Sequence, residues 1–329
     1  MRSEIERRCE LLVENRKLAG KASLLDHGLM KVVAASFFTE KDKTADVEEL
    51  KDCKKLIRKK QGIFSEIRGN NELIIAAKMA ASGNPEGYLD KLIDVYKEFQ
   101  KGKILGSSYR VLAAASICDT GRASEAKELV EKTYELMKGM RKDHPFLTTD
   151  EDTSLAVLLA MKNKSTEEIL EELEAIYQLI KKNFAFHEDA AYSLSQVLAT
   201  FDGQAEVKSE KVMELFEAFK NAGAKYGKGY ELASLGILVG IDRNTEELVS
   251  EVVEVAEYLN GKKGFGILDM DRHTRLMLGT MIVSGIYSDG NVATSASVAS
   301  SALSAVITAQ LCMYVAVMSA ASVSSSSSN

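Results

Sequence analysis

With 329 residues, 46% hydrophobic and 27% charged, the chain has room for about two ordinary domains or one long repeat array, with enough apolar side chains for a substantial core. Its net charge of −6 argues against a dedicated nucleic-acid binder, so no nucleic-acid partner is expected. Two prolines, no tryptophan and an abundance of Leu, Ala, Glu and Lys point to an all-α chain.

The start, MRSEIERRCELL, is charged from its second residue and has no apolar stretch of the secretory kind, so a cytoplasmic location is expected. From there two helix types alternate. Short apolar helices are expected at GLMKVVAASFF (28–38), ELIIAAKMAAS (72–82), YRVLAAASIC (109–118) and TSLAVLLAM (153–161). The series continues with YSLSQVLATF (192–201), YELASLGILVG (230–240) and RLMLGTMIVSG (275–285). Between them lie charged amphipathic helices such as STEEILEELEAIYQLIKK (165–182), whose Ile169, Leu173, Ile176 and Ile180 recur at helical spacing on one face.

The amphipathic helices keep a beat. The segments CKKL, YKEF, YELM, YQLI, FEAF and AEYL begin at Cys53, Tyr96, Tyr134, Tyr177, Phe216 and Ala256, at intervals of 43, 38, 43, 39 and 40 residues. That period predicts about six stacked helical hairpins of roughly forty residues over residues 1–288, with extra terminal helices. An open α-solenoid, or superhelix, is the favoured arrangement because the helices are short and the end segments look like caps; a closed α/α toroid is the alternative. Asn84-Pro85 and the capping boxes Ser165/Glu168 and Thr148/Glu151 mark helix starts.

HPFLTTDEDTS (144–154) carries the densest chemistry, and helix capping accounts for its acids. A catalytic reading would draw on His144, Asp150, Asp152, His187 and Asp271, because all four histidines lie at or just before an apolar helix with acids nearby. No metal site is expected: there is no HExxH spacing, and the offsets from each helix differ. EIRGNNEL (66–73) offers Arg68 and Asn70 as a ligand-binding pair, against the plainer reading of a turn capped by Asn70 or Asn71. GKKGFGILDMD (261–271) lacks the order of a phosphate loop, and the basic KDCKKLIRKK (51–60) reads as a solvated helix face. The four cysteines, Cys9, Cys53, Cys118 and Cys312, are widely spaced with no CxxC pair and read as reduced thiols. No cofactor is implied.

After Asp289 no charged residue occurs, so 289–329 is set apart as an Ala/Ser-rich helix with a serine tail. ALSAVITAQLCMYVAVMSAASV (302–323) is long enough to cross a bilayer, yet its polar residues and missing Lys/Arg anchors favour burial against other helices over membrane association.

IERRCELLVENR (5–16), IFSEIRGN (63–70), DHPFLTTDED (143–152), KYGKGYELASLG (225–236), KGFGILD (263–269) and the serine-ended tail together resemble an uncharacterised family of Firmicute bacterial proteins, the domain of unknown function numbered four thousand and three. The resemblance spans the chain and implies a bacterial protein; it carries over no catalytic residue. The expected function is a non-enzymatic helical-repeat scaffold for a protein or peptide partner. The alternative is an α/α-toroid enzyme acting on a small molecule or glycan. The sequence leaves the oligomeric state open.

Overall fold

The computed structural model describes residues 1–63, 65–69 and 71–289, with side chains through Tyr287. Asn70 and the tail beyond Asp289 therefore lie outside the described residues. Among those described, the protein is all-helical, with no strand. In chain order the α-helices are α1 (Ser3–Ala22), α2 (Gly28–Glu40), α3 (Val47–Lys60), α4 (Glu72–Ser82), α5 (Pro85–Gln100), α6 (Ser108–Asp119) and α7 (Ala126–Asp143). They continue as α8 (Thr153–Ala160), α9 (Thr166–Ile180), α10 (Glu188–Thr200), α11 (Ala205–Asn221), α12 (Leu232–Leu235), α13 (Thr245–Asn260) and α14 (Arg272–Asp289).

The two helix types of the sequence have two fates. The apolar helices α2, α4, α6, α8 and α10 are buried nearly all round, whereas α3, α5, α9, α11 and α13 bury a single stripe. In α9 that stripe is Ile169, Leu173, Ile176, Tyr177 and Ile180. Fully burying one such aliphatic side chain is worth about 1.5–3 kcal/mol, so the apolar helices supply most of the driving force. Asn84 caps α5 ahead of Pro85, and Ser165 with Glu168 closes a capping box on α9, both as their residues predict.

Contacts divide the described chain into two compact units. The first is Arg7–Lys127. In it α2 packs on α4, and α5 packs on both α4 and α6. Lys41 Nζ, just past α2, donates to Ala81 O near the end of α4 at 3.2 Å, and Lys78 of α4 pairs with Asp119 at the end of α6. At the opposite end, Ser108 Oγ donates to Glu66 Oε2 at 3.0 Å, and Asn71 Nδ2 to Ser108 O at 3.4 Å. Consequently α2, α4 and α6 run parallel, and their starts share one end of the unit.

The second unit comprises Met1–Glu6 and the described chain from Glu128. Here α10 packs on α8 and α12, α12 on α14, and α11 on α9 and α13, while α13 lies along α14. Lys162 Nζ, past the end of α8, donates to Ala199 O at 2.7 Å and Phe201 O at 3.1 Å, at the end of α10. Tyr230 and Thr274, at the starts of α12 and α14, share a 3.3 Å hydrogen bond. The apolar helices again run parallel with their starts together. Arg2 Nη1 is bound to Tyr287 Oη at 2.7 Å and Glu251 Oε1 at 3.2 Å, which ties the first residues to α13 and α14.

Three local expectations change. The capping box expected at Thr148/Glu151 forms one residue later, between Thr149 and Asp152, because Thr148 is drawn into the core. Asn71 holds the N-cap position of α4 but makes no capping hydrogen bond: its amide donates to Glu66 O and Ser108 O instead. The helix expected over 230–240 is a four-residue α12 followed by a 3-10 stretch, Gly236–Gly240. A Cβ on Gly236 would stand 2.9 Å from Val197 Cγ1, and one on Gly240 2.7 Å from the Phe201 ring, so these glycines let the segment press against α10 and its end.

Candidate functional site

A polar cluster forms around HPFLTTDED, between α7 and α8 of the second unit. His144 ends α7's extension, with its N–H on Met140 O at 2.8 Å, and its ring turns toward α9 and α10. His144 Nε2 lies 2.6 Å from Glu174 Oε2. The imidazole also packs against Tyr177 and Tyr192, with ring centroids 5.0 and 4.9 Å away, and those two tyrosines meet edge to face at 5.2 Å. Burial pushes both phenol pKa values up, Tyr192's strongly. Burial alone would raise the Glu174 carboxyl too, but hydrogen bonds from His144 and Gln178 prevail and hold it below the usual range.

Eight residues on, Asp152 is 5% exposed. Its Oδ2 accepts the Thr149 N–H at 2.8 Å and its Oδ1 accepts Gln196 Nε2 from α10 at 2.6 Å. Burial raises its pKa from 3.8 to about 6, and the two hydrogen bonds hold back a larger rise. Gln196 is fully buried, and its Oε1 has no partner among the described residues. The two ends of the loop are thus anchored, one through His144 on α9 and the other through Asp152 on α10.

The other sequence candidates do not join them. Asp150 is exposed on the 150–152 turn. His187 stands exposed at the start of α10 without making a capping hydrogen bond. Asp271 is an exposed acceptor for Thr274 N–H at 2.7 Å, at the start of α14. Arg68 is half-exposed in a turn closed by its own N–H on Ser65 O at 2.9 Å. No group of three or more His, Cys, Asp or Glu among the described residues could hold a metal ion. Two surface grooves, of about 460 and 580 Å³, are lined by none of the cluster's residues. One is lined by Asp46, Glu49, Asp52 and Cys53, the other by α11 and α13. Burial lifts the Cys53 thiol to about 12, which removes the thiolate that reactive chemistry would need.

The sequence names neither Glu174, Tyr192 nor Gln196 as a site residue, and Tyr177 only as one of the tyrosines on the forty-residue beat. Gln196 had a signal, being a polar amide inside the apolar run YSLSQVLATF; Glu174 is one glutamate among many on its helix.

A second feature of the same end also went unread. Phe146 is 92% exposed and Phe186 98%, and Ile267 and Leu268 are exposed with them. Each lies in a connection that leads into an apolar helix, α8, α10 or α14. The connections at the other end of the unit, 161–165 and 201–204, carry no exposed large apolar side chain. In and beside these connections exposed charges of both signs occur: the basic Arg141, Lys142, Lys182 and Lys263 and the acidic Glu188, Asp189 and Asp269.

A family model described as "Protein of unknown function (DUF4003)" matches residues 16–312. "Uncharacterized protein YeaA" of Bacillus subtilis (strain 168) is 24% identical over 257 residues, covering 76% of this chain and 74% of that protein. No solved structure matches.

Proposed function

Starting from a chain that belongs to the DUF4003 family, whose description assigns no activity, we propose that the protein is a non-enzymatic helical-hairpin scaffold that binds a protein or peptide partner. The binding surface is the end of the second unit where α8, α10 and α14 begin. One observation carries this reading: Phe146, Phe186, Ile267 and Leu268 are exposed at the tips of that end, while the core beneath them is closed. Large apolar side chains held out in water mark an interaction surface when they gather at one end of a unit. The surrounding charges are of both signs, which suits a polypeptide carrying both signs better than a uniformly charged surface. Successive parallel helices also set the tips on a firm base, as hairpin arrays do for their partners. The alternative, a ring enzyme, needs at least two carboxylates and an imidazole converging on a deep cavity. Support for it is thin, since His187, Asp150 and Asp271 lie on separate turns, while His144 and Asp152 are held by Glu174 and Gln196.

The test is site-specific photo-crosslinking in cells, with the photoreactive residue placed at Phe146, at Phe186 or, as a control, at exposed Asn163 on the opposite end. A discrete polypeptide adduct from Phe146 and Phe186 but not from Asn163 is expected. Equal adducts from all three sites, or none from the first two, would sink the reading.

A further inference from the structure

We infer that the first unit carries a docking surface of a different kind: the end where α2, α4 and α6 begin binds an anionic lipid bilayer. Leu24, Leu25, Ile63, Ile104 and Leu105 stand exposed there, Leu25 and Ile104 completely. They occupy the connections into α2, α4 and α6. Lys54, bridging Asp26 before α2 and Glu72 at the start of α4, helps bring those connections together. All five are aliphatic, and they sit on three separate connections. Separate tips can each enter the headgroup layer, whereas a bound helix would need a continuous apolar floor.

The exposed charges beside them are predominantly basic. Lys21, Lys59, Lys101 and Lys103 are exposed there, with Lys101 paired to the half-buried Glu98. The acids in these three connections, Asp26 and Glu66, are half-buried and engaged, Asp26 with Lys54 and Ser23 and Glu66 with Ser108. Lysines in the last turn of α1 and α3 complement those helix ends in any case. Buried hydrocarbon together with several bases is the double signal that holds a protein reversibly on an anionic membrane. The contrast with the mixed charges of the second unit selects lipid over polypeptide as the occupant.

The experiment is co-sedimentation of the full chain with vesicles of phosphatidylcholine alone or of phosphatidylcholine mixed with phosphatidylglycerol. Binding is expected to the mixed vesicles and to weaken as salt is raised. Reversing Lys21, Lys59 and Lys103 to Glu should weaken it by roughly fivefold or more per base. Replacing Leu24, Leu25, Ile104 and Leu105 together by Ser should weaken it by at least about tenfold. These side chains are exposed, so the variants should melt with the parent. Phe146→Ser with Phe186→Ser should leave lipid binding unchanged, which separates this proposal from the polypeptide one. The proposal is overturned if both vesicle types bind equally or not at all, or if the Ser variant binds as well as the parent. It is equally overturned if only removal of 290–329 abolishes binding, since the tail is then the lipid contact. A dimer that the Ser variant splits would make the surface a self-association face and overturn it too.

Discussion

Gln196 Nε2 reaches Asp152 Oδ1 at 2.6 Å across the space between α10 and the start of α8, with both side chains out of water. The pair joins a surface connection to the centre of an apolar helix. It also leaves Gln196 Oε1 with no partner among the described residues, and an unmade buried hydrogen bond costs about 1–3 kcal/mol. Among the described residues no cation is bonded to Asp152, and burial governs its titration.

The first prediction concerns pH. Asp152's folded-state pKa of about 6 lies above its ordinary 3.8, so the folded chain holds this proton more tightly than the unfolded one. Its contribution to stability is therefore full below pH 3.8 and lost as pH rises through about 6. The loss amounts to about 3 kcal/mol at most. Asp152→Asn cannot titrate. The difference in unfolding free energy between this variant and the parent should move in the variant's favour from pH 4 to pH 7. Urea titrations across that range measure it, and a pH-independent difference would contradict the burial of Asp152.

Glu172 should behave in the opposite way. It lies among Lys164 (Nζ to Oε2 at 2.9 Å), the buried Lys208 and, at 3.8 Å, Lys162. Burial pushes its carboxyl up, but the lysine hydrogen bonds prevail and its pKa falls below the ordinary 4.5. Its contribution is thus present above pH 4.5 and lost as the solution is acidified below it. Glu172→Ala would leave Lys208 in a nearly dry site without its carboxylate and should cost about 3–5 kcal/mol. Glu171→Ala, on the exposed face, should stay within about 0.5 kcal/mol. Similar melting temperatures for the two variants would show that the lysines reach water.

The His144–Glu174 contact is half-exposed, and its worth should be correspondingly small. A double-mutant cycle with His144→Ala and Glu174→Ala should give a coupling of about 0.5–1 kcal/mol that shrinks in salt. A coupling several times larger would mean that Tyr177 and Tyr192 shut the pair off from solvent more fully than their packing implies.

Helix type and order were legible because burial leaves a periodic mark: Ile169, Leu173, Ile176 and Ile180 announce a one-sided helix from spacing alone, and every apolar run except 230–240 became a helix close to its expected bounds. That exception has a steric cause, the glycines that fit against Val197 and Phe201, and single residues do not reveal which neighbour they will meet. The cluster was half legible. His144 and Asp152 advertise themselves by residue type, but Glu174 and Gln196 acquire meaning only when α9 and α10 come beside the loop. The exposed tips were missed for the opposite reason: ILG in KILGS and LLD in SLLDH look like ordinary helix-start hydrophobics, and only the folded chain leaves them in water.

The last prediction tests the α13–α14 packing. A Cβ on Gly279 would stand 2.6 Å from Val252 O and 3.1 Å from Val252 Cγ1. The obstruction is a backbone carbonyl inside a helix, which cannot rotate aside, so the two helices must part. Gly279→Ala should therefore destabilise by about 1–3 kcal/mol, as overpacking does. Gly285, six residues along the same helix, has nothing among the described residues within 4 Å of its added Cβ. There Gly285→Ala meets no clash, and the lower entropy of the unfolded chain should stabilise by about 0.5–1 kcal/mol. Opposite signs from one substitution at two sites on one helix cannot arise from helix propensity. Guanidinium unfolding of both variants reads the difference directly, and two stabilised variants would mean that α14 does not lie against the α13 backbone at Val252.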